Sequence, residues 1–218
     1  MCGIAGIINT KAYRRKTIHG WLNEMNNLQA HRGPDGQGVW IHDRGEVGFA
    51  HRRLSIIDLT SAAAQPMSSE TGSVITYNGE IYKYLEIRQE LGEEKFRTTS
   101  DTEVIIKAYE KWGEECVYHL RGMFAFAIWD ERNQKLFCAR DRFGIKPFYY
   151  SHNSEGFFFA SEIKALLPFV DEIATDLNGL KDYFAFQFTL GEKTLFEGVK
   201  QLLPAHSLIV KKGCGNTR

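Results

Sequence analysis

Seven consecutive residues, Met123-Phe124-Ala125-Phe126-Ala127-Ile128-Trp129, carry no charged, amide or small hydroxyl side chain. A strand with one wet face alternates apolar and polar residues. A run without alternation predicts a strand covered on both faces. Glu131-Arg132-Asn133-Gln134 then turns the chain into a further strand at 135–139. Short strands are also predicted at 3–8, 39–41, 47–51, 74–77, 147–151, 157–160 and 207–210, several of them paired as hairpins.

The covers come from amphipathic helices. Residues 17–29 place Ile18, Trp21, Leu22, Met25 and Leu28 at helical spacing, and 84–91 has the same period. Ser100-Asp101-Thr102-Glu103 reads as a capping box opening a helix at 102–112, with Val104, Ile105, Ala108, Tyr109 and Trp112 as its buried stripe. Two shorter helices are predicted at 162–167 and 177–184. Hairpins with two-faced burial, together with helices that need a surface to lie on, give an α+β class: antiparallel sheets covered by helices. At 218 residues the chain is read as one domain. No internal repeat or low-complexity stretch interrupts it.

Charge excludes some functions. Lys and Arg total 27 and Asp and Glu total 27, so nothing points to nucleic acid or an anionic membrane as partner. No apolar run reaches the roughly 18 residues of a membrane span, and no secretory signal opens the chain. Cys2, Cys116, Cys138 and Cys214 are widely spaced. They form neither a zinc motif nor a disulfide framework, which fits a reducing cytoplasm.

Cys2 is the candidate nucleophile. With Met1 removed it carries a thiol and a free α-amine on one residue. Their ordinary pKa values are about 8.5 and about 7.7–8.0. The amine can take the thiol proton and return it; the alternative is simply a small residue behind the start codon. A cysteine that attacks a carbonyl needs donors for the oxyanion. Asn78-Gly79, at a strand end, offers a side-chain amide and a backbone N–H. The same dipeptide is also a strong hairpin-turn signal. Arg53 offers a planar fork for a carboxylate, or a surface charge at a strand end. Glu80 and Asp101 add two carboxylates, although Asp101 also suits a helix start without any further role. One Arg and two carboxylates around a nucleophile suit a free amino acid, provided they converge.

Several motifs occur in order: Met1-Cys2-Gly3-Ile4-Ala5-Gly6, His31-Arg32-Gly33-Pro34-Asp35, His51-Arg52-Arg53-Leu54-Ser55, Tyr77-Asn78-Gly79-Glu80-Ile81-Tyr82, Ser100-Asp101-Thr102-Glu103, and Ala139-Arg140-Asp141-Arg142-Phe143-Gly144-Ile145-Lys146-Pro147. The set closely resembles the N-terminal glutaminase domain of glutamine-dependent asparagine synthetases, class II glutamine amidotransferases of the N-terminal-nucleophile hydrolase fold. The resemblance spans about residues 1–210, with 211–218 left as a tail or linker remnant. It implies a four-layer αββα sandwich of two antiparallel sheets. It also implies that Cys2 becomes the first residue and forms a γ-glutamyl thioester from L-glutamine, releasing ammonia and then glutamate.

By motif match, Arg53 resembles the clamp on the substrate carboxylate. Asn78 and Gly79 resemble the oxyanion hole, and Glu80 and Asp101 resemble the holders of the ammonium. Backbone near Ile56 and Ile57 resembles the pocket lining. Arg32 resembles an organiser behind the site. Lys83 departs from the family pattern, which has Asn there. No metal or cofactor is implied for these residues.

ATP and Mg2+ would belong to a synthetase domain whose Ser-Gly-Gly-x-Asp-Ser loop does not occur here. The chain is therefore expected to be a fragment, a truncated gene product, or a stand-alone glutaminase serving a separate synthetase. The acceptor need not be aspartate, and a homodimer is compatible with all of this. Two other readings stay open. One is a glutamine-binding or docking module with little turnover of its own. The other is an acylase on the same fold, which Arg53, Glu80 and Asp101 disfavour.

Overall fold

The computed structural model describes residues 1–11, 13–211 and, as backbone, 214–217. In chain order the elements are β1 (Gly3–Asn9), α1 (Arg15–Leu28), β2 (Gly36–Ile41), β3 (Val47–Arg53), β4 (Met67–Ser68), β5 (Val74–Ile81), α2 (Tyr84–Leu91), α3 (Asp101–Trp112), α4 (Cys116–His119), β6 (Gly122–Asp130), β7 (Lys135–Arg140), β8 (Tyr149–His152), β9 (Gly156–Ala160), α5 (Leu177–Phe186), β10 (Val199–Gln201), β11 (Ser207–Lys211) and β12 (Cys214–Thr217). The strands form two six-stranded sheets, ordered β10-β8-β9-β1-β3-β2 and β12-β11-β7-β6-β5-β4. Every strand pair is antiparallel.

The unalternating run forms β6, and its two faces serve two cores. Ala125, Ala127 and Trp129 meet Ile4, Ile8, Phe49, Phe157 and Phe159 from the other sheet. Phe124, Phe126 and Ile128 meet Val104, Ile105 and Ala108 of α3 and Ile87 of α2. On the far side, Ala5, Ile7 and Phe158 meet Ile18, Leu22 and Met25 of α1. The order is α1, first sheet, second sheet, then α2 with α3: a four-layer αββα sandwich. Gly6 fits the inner layer because it has no Cβ. A Cβ there would lie 2.3 Å from the Phe159 ring and 2.8 Å from Phe49.

Local chemistry sets the boundaries. Ser100 caps α3 by accepting from Thr102 N at 3.0 Å. Glu103 does not complete a capping box. It accepts instead from Arg97 N and Thr98 N, tying the preceding loop to the helix head. The helix expected at 162–167 is two short 3-10 turns, Ile163–Ala165 and Leu167–Phe169, because Pro168 cannot continue the hydrogen-bond ladder. Of the 211–218 tail, residues 214–217 extend the second sheet as β12 against β11, while 212, 213 and 218 lie outside the described residues.

The turn from β7 to β8 is organised by one carboxylate. Asp141 is fully buried. It accepts from Phe124 N at 3.2 Å and from Phe143 N, Ile145 N and Lys146 N, each at 3.0 Å. Arg140 reinforces the turn by donating to the Lys146 and Gly144 carbonyls. Asp141→Ala leaves these amides without their acceptor. The expected loss of stability is roughly 3 kcal/mol or more, read as a lowered urea midpoint. An unchanged midpoint would show that the turn holds without its carboxylate.

Candidate active site

Cys2 continues the inward-facing register of β1, two residues ahead of Ile4. Its Sγ lies 3.4 Å from Leu54 N and 3.6 Å from Leu54 O. Burial pushes the thiol up from its ordinary value; the Leu54 N–H, the N-terminal ammonium and Arg53 oppose that shift without cancelling it. Behind the sulfur, Arg32 Nε donates to the Cys2 carbonyl at 2.9 Å. Arg32 is held in turn by Glu162 at 2.9 Å, a carboxylate also reached by His31 and Lys164. Arg32 Nη2 is buried without a partner among the described residues.

Asn78 and Gly79 are not a turn. They lie within β5, opposite Ala125 and Phe124 of β6. The edge of β5 away from β6 is claimed residue by residue. Ile75 faces β4, Tyr77 N donates to Gln65 Oε1 at 2.7 Å, and Ile81 N donates to Asp101 Oδ2 at 3.0 Å. Strand alternation sends the Gly79 N–H to that same edge. Phe124, opposite Gly79, directs its own carbonyl to Asp141 N. Gly79 N–H is therefore left free between two occupied positions. A Cβ at Gly79 would lie 2.2 Å from the Met123 carbonyl, so only glycine fits. Asn78 is 1% exposed and its Nδ2 has no partner among the described residues.

Arg53 ends β3, and its guanidinium donates to the carbonyls of Thr60 and Asp58. Those bonds leave three of its five N–H groups uncommitted. Asp58, at φ +54°, latches this loop to the head of α3. It accepts from the Thr60 hydroxyl at 2.6 Å and from Thr99 N at 2.9 Å. Asp101 is 5% exposed and accepts from the Tyr77 hydroxyl at 2.8 Å. Burial raises its carboxyl, against the bonds from Ile81 and Tyr77.

Cys2, Arg53, Ile56, Ile57, Asn78, Gly79, Glu80 and Asp101 all line one open cleft. Arg32 lies outside that lining and acts on it through the Cys2 backbone. Residues not singled out from the sequence complete the wall: Gln65, Tyr77, Met123 and Lys146 among them. Lys146 sits in the 139–147 motif and Gln65 in none of those quoted; neither belongs to a periodic pattern, so side-chain direction alone reveals them. Deeper in, His51 is fully buried. Burial and Arg53 lower it to about 3, so it is a neutral ring beside Thr76 at 3.2 Å. Among the described residues no group of three or more His, Cys, Asp or Glu side chains is placed to hold a metal ion. No helix among them is long and apolar enough to cross a membrane.

Comparison with known proteins adds sequence and fold. A family model described as the glutamine amidotransferase domain matches residues 1–218. Asparagine synthetase (glutamine-hydrolyzing) 3 of Bacillus subtilis (strain 168) is 40% identical over 223 residues, covering 97% of this chain and 35% of that protein. Amidase chry2 of Gibberella zeae is 39% identical over 221 residues, covering 97% of this chain and 32% of that protein. The chain thus spans about a third of the length of these curated relatives. The glutamine phosphoribosylpyrophosphate amidotransferase from B. subtilis, solved with ADP and GMP, matches with a TM-score of 0.70 over 100% of this chain and 49% of that chain, at 18% identity. That likeness shows the fold, the αββα sandwich described above.

The Asp58 latch carries a pH dependence. The Thr60 hydroxyl, with the Thr60 and Thr99 amides, holds the Asp58 carboxyl down to about 2, against about 3.9 unfolded. A depressed carboxyl stabilises the fold above its unfolded pKa, and that contribution is lost as pH falls toward 2. The wild-type advantage over Asp58→Asn is therefore expected to be full at pH 6 and to shrink between pH 4 and pH 2, read as urea midpoints. A gap independent of pH would remove the carboxylate's charge from the latch.

Proposed function

Since this chain belongs to the glutamine amidotransferase domain family, we propose that it hydrolyses L-glutamine to glutamate and ammonia at Cys2. The supporting observation is the cleft itself: a thiol, two uncommitted oxyanion donors, an Arg fork and two carboxylates line one space.

The buried thiol is protonated near neutral pH, so attack needs a base. Removal of Met1 supplies one, the α-amine of Cys2, which takes the thiol proton. The thiolate adds to the side-chain amide carbon of glutamine. Asn78 Nδ2 and Gly79 N–H receive the oxyanion; neither has another bond to break first. The C–N bond then breaks, and the amine returns its proton to the leaving nitrogen, which departs as ammonia. Water adds to the thioester by the same base, the C–S bond breaks, and glutamate leaves with the thiol restored. Free N–H groups of Arg53 bind the substrate α-carboxylate. Glu80 and Asp101 hold its α-ammonium, and an ammonium there favours the ionised form of the buried Asp101. Backbone at Ile56 and Ile57 closes the pocket.

The ammonia serves an amidation carried out by a synthetase portion, in the same polypeptide or a separate one. The relatives are about three times as long and include proteins named as glutamine-hydrolysing asparagine synthetases, so aspartate is the proposed acceptor. ATP and Mg2+ act on this reading in that portion.

Two variants test the reading. Cys2→Ala is expected to abolish glutamate release while keeping the thermal unfolding transition, because Cys2 is anchored by its backbone. Asn78→Ala should lower kcat by roughly 10²–10³. In wild type, intact mass should show loss of Met1 and one adduct of 6-diazo-5-oxonorleucine on Cys2, blocked by excess glutamine. Turnover by Cys2→Ala comparable to wild type would sink the mechanism.

A further inference from the structure

Lys146 is only 5% exposed and lines the cleft that holds Cys2. Among the described residues its ammonium has no hydrogen-bond or ion-pair partner. Lysines are rarely so buried unless paired. Its position is imposed rather than accidental. Asp141 binds the amides of Ile145 and Lys146, and Arg140 Nε donates to the Lys146 carbonyl at 2.8 Å. The backbone that carries this side chain is therefore fixed, and from it the side chain lines the cleft.

The surrounding charges narrow what the ammonium can serve. Facing Cys2 are the N-terminal ammonium, Arg53 at the end of β3, and Asp101 at the head of α3. Tyr77 from β5 also faces it, as a neutral phenol held protonated by burial and by Asp101. Facing Lys146 are Arg32, Cys2, Asp141 and Glu80. Asp141 is saturated by backbone amides. Glu80 is free to take a ligand and makes no ion pair with Lys146. Burial and Arg32 disfavour the ammonium, while Cys2, Asp141 and Glu80 favour it. Of those three, only the sulfur acquires its charge during a reaction.

We propose that Lys146 is a positioning residue for the nucleophile: its ammonium, fixed in the cleft by the turn pinned on Asp141, favours the Cys2 thiolate over the thiol and sets the pH at which the sulfur becomes reactive. The inference rests on the reading of Cys2 as nucleophile. A cation beside a buried thiol offsets part of the desolvation that otherwise keeps it protonated. It does so without taking the proton, a task left to the α-amine.

The test is the rate of carboxamidomethylation of Cys2 by iodoacetamide, a neutral reagent, across pH 6–10. Modification is read on the Cys2 peptide by mass spectrometry in wild type, Lys146→Met, Lys146→Gln and Lys146→Arg. Both neutral variants should react about threefold to tenfold more slowly at pH 7.5, a profile displaced upward by about half to one pH unit, and should reach the wild-type rate at high pH. Lys146→Arg should stay within about twofold of wild type. Neutral variants that superimpose on wild type overturn the proposal. So does an Arg variant displaced as far as Met, or loss of the fold in both neutral variants, since either assigns Lys146 a structural role. Glutamate release by wild type is measured alongside. A displaced alkylation profile in a protein that releases no glutamate would keep the role of Lys146 and remove the glutaminase reading.

Discussion

Two sheets pressed face to face demand a dry layer between them, and the site lies where that layer stops being apolar. Along β3 the inward positions run Val47, Phe49, His51, Arg53. Along β5 they run Val74, Thr76, Asn78, Glu80. On β1 the same register runs Ile8, Gly6, Ile4 and then Cys2. All three strands change from apolar to polar toward one end of the sandwich. Polar side chains are costly inside such a layer unless paired or hydrated. The transition is therefore graded. Thr76 meets His51 Nδ1 at 3.2 Å, His51 Nε2 is buried without a partner among the described residues, and the fully buried ring stays neutral. Past them the layer opens into the cleft, where Asn78 keeps an unspent amide.

The unspent donors follow from how the neighbouring ones are used. Gln65 and Asp101 take the amides of Tyr77 and Ile81, stabilising an exposed strand edge on both sides of Gly79. On the proposed reading, Asn78 and Gly79 present these donors to an oxyanion from a frame whose neighbouring bonds are complete, so no reorganisation would be needed when charge develops. The same economy applies to Cys2, the proposed nucleophile. Arg32 and the β1–β3 ladder, in which Gly3 pairs with Arg52, fix the Cys2 backbone. The sulfur itself has only long contacts to Leu54.

Much of the architecture was legible in the chain because burial on two faces has a plain signature. The apolar run that became β6, the periodic stripes of α1 and α3, and the serine cap of α3 all follow from solvent exclusion and local hydrogen bonding. The site was legible by residue type more than by shape. Asn78-Gly79 supports a hairpin turn as strongly as a strand. What decides is a contact remote in sequence, the Met123 carbonyl across the ladder, which excludes any Cβ at Gly79. Glu103 matched a capping box yet turned to the amides of Arg97 and Thr98, because the loop ahead of α3 offered two N–H groups to one carboxylate. Lys146 left no periodic trace. A lysine before a proline reads as a solvated turn until Asp141 is seen to hold the backbone inward.

Desolvation and charge act on the cleft in opposite directions, and the balance explains its composition. Burial alone raises Cys2 and Asp101 toward their neutral forms, and a neutral cleft would neither attack an amide nor hold an ammonium. Cations and donors at its rim work against that tendency: Arg53 and the Leu54 amide on the sulfur, and the Ile81 amide and Tyr77 hydroxyl on Asp101. On both groups burial is the larger influence. A zwitterionic substrate would complete the balance, since its ammonium stabilises the carboxylates and its carboxylate engages Arg53. Its arrival would therefore change the electrostatics of the very groups proposed to act on it. On the proposed reading, selectivity for a free amino acid and activation of the site would come from the same interactions, because a ligand lacking either head group would leave part of the cleft's charge unanswered.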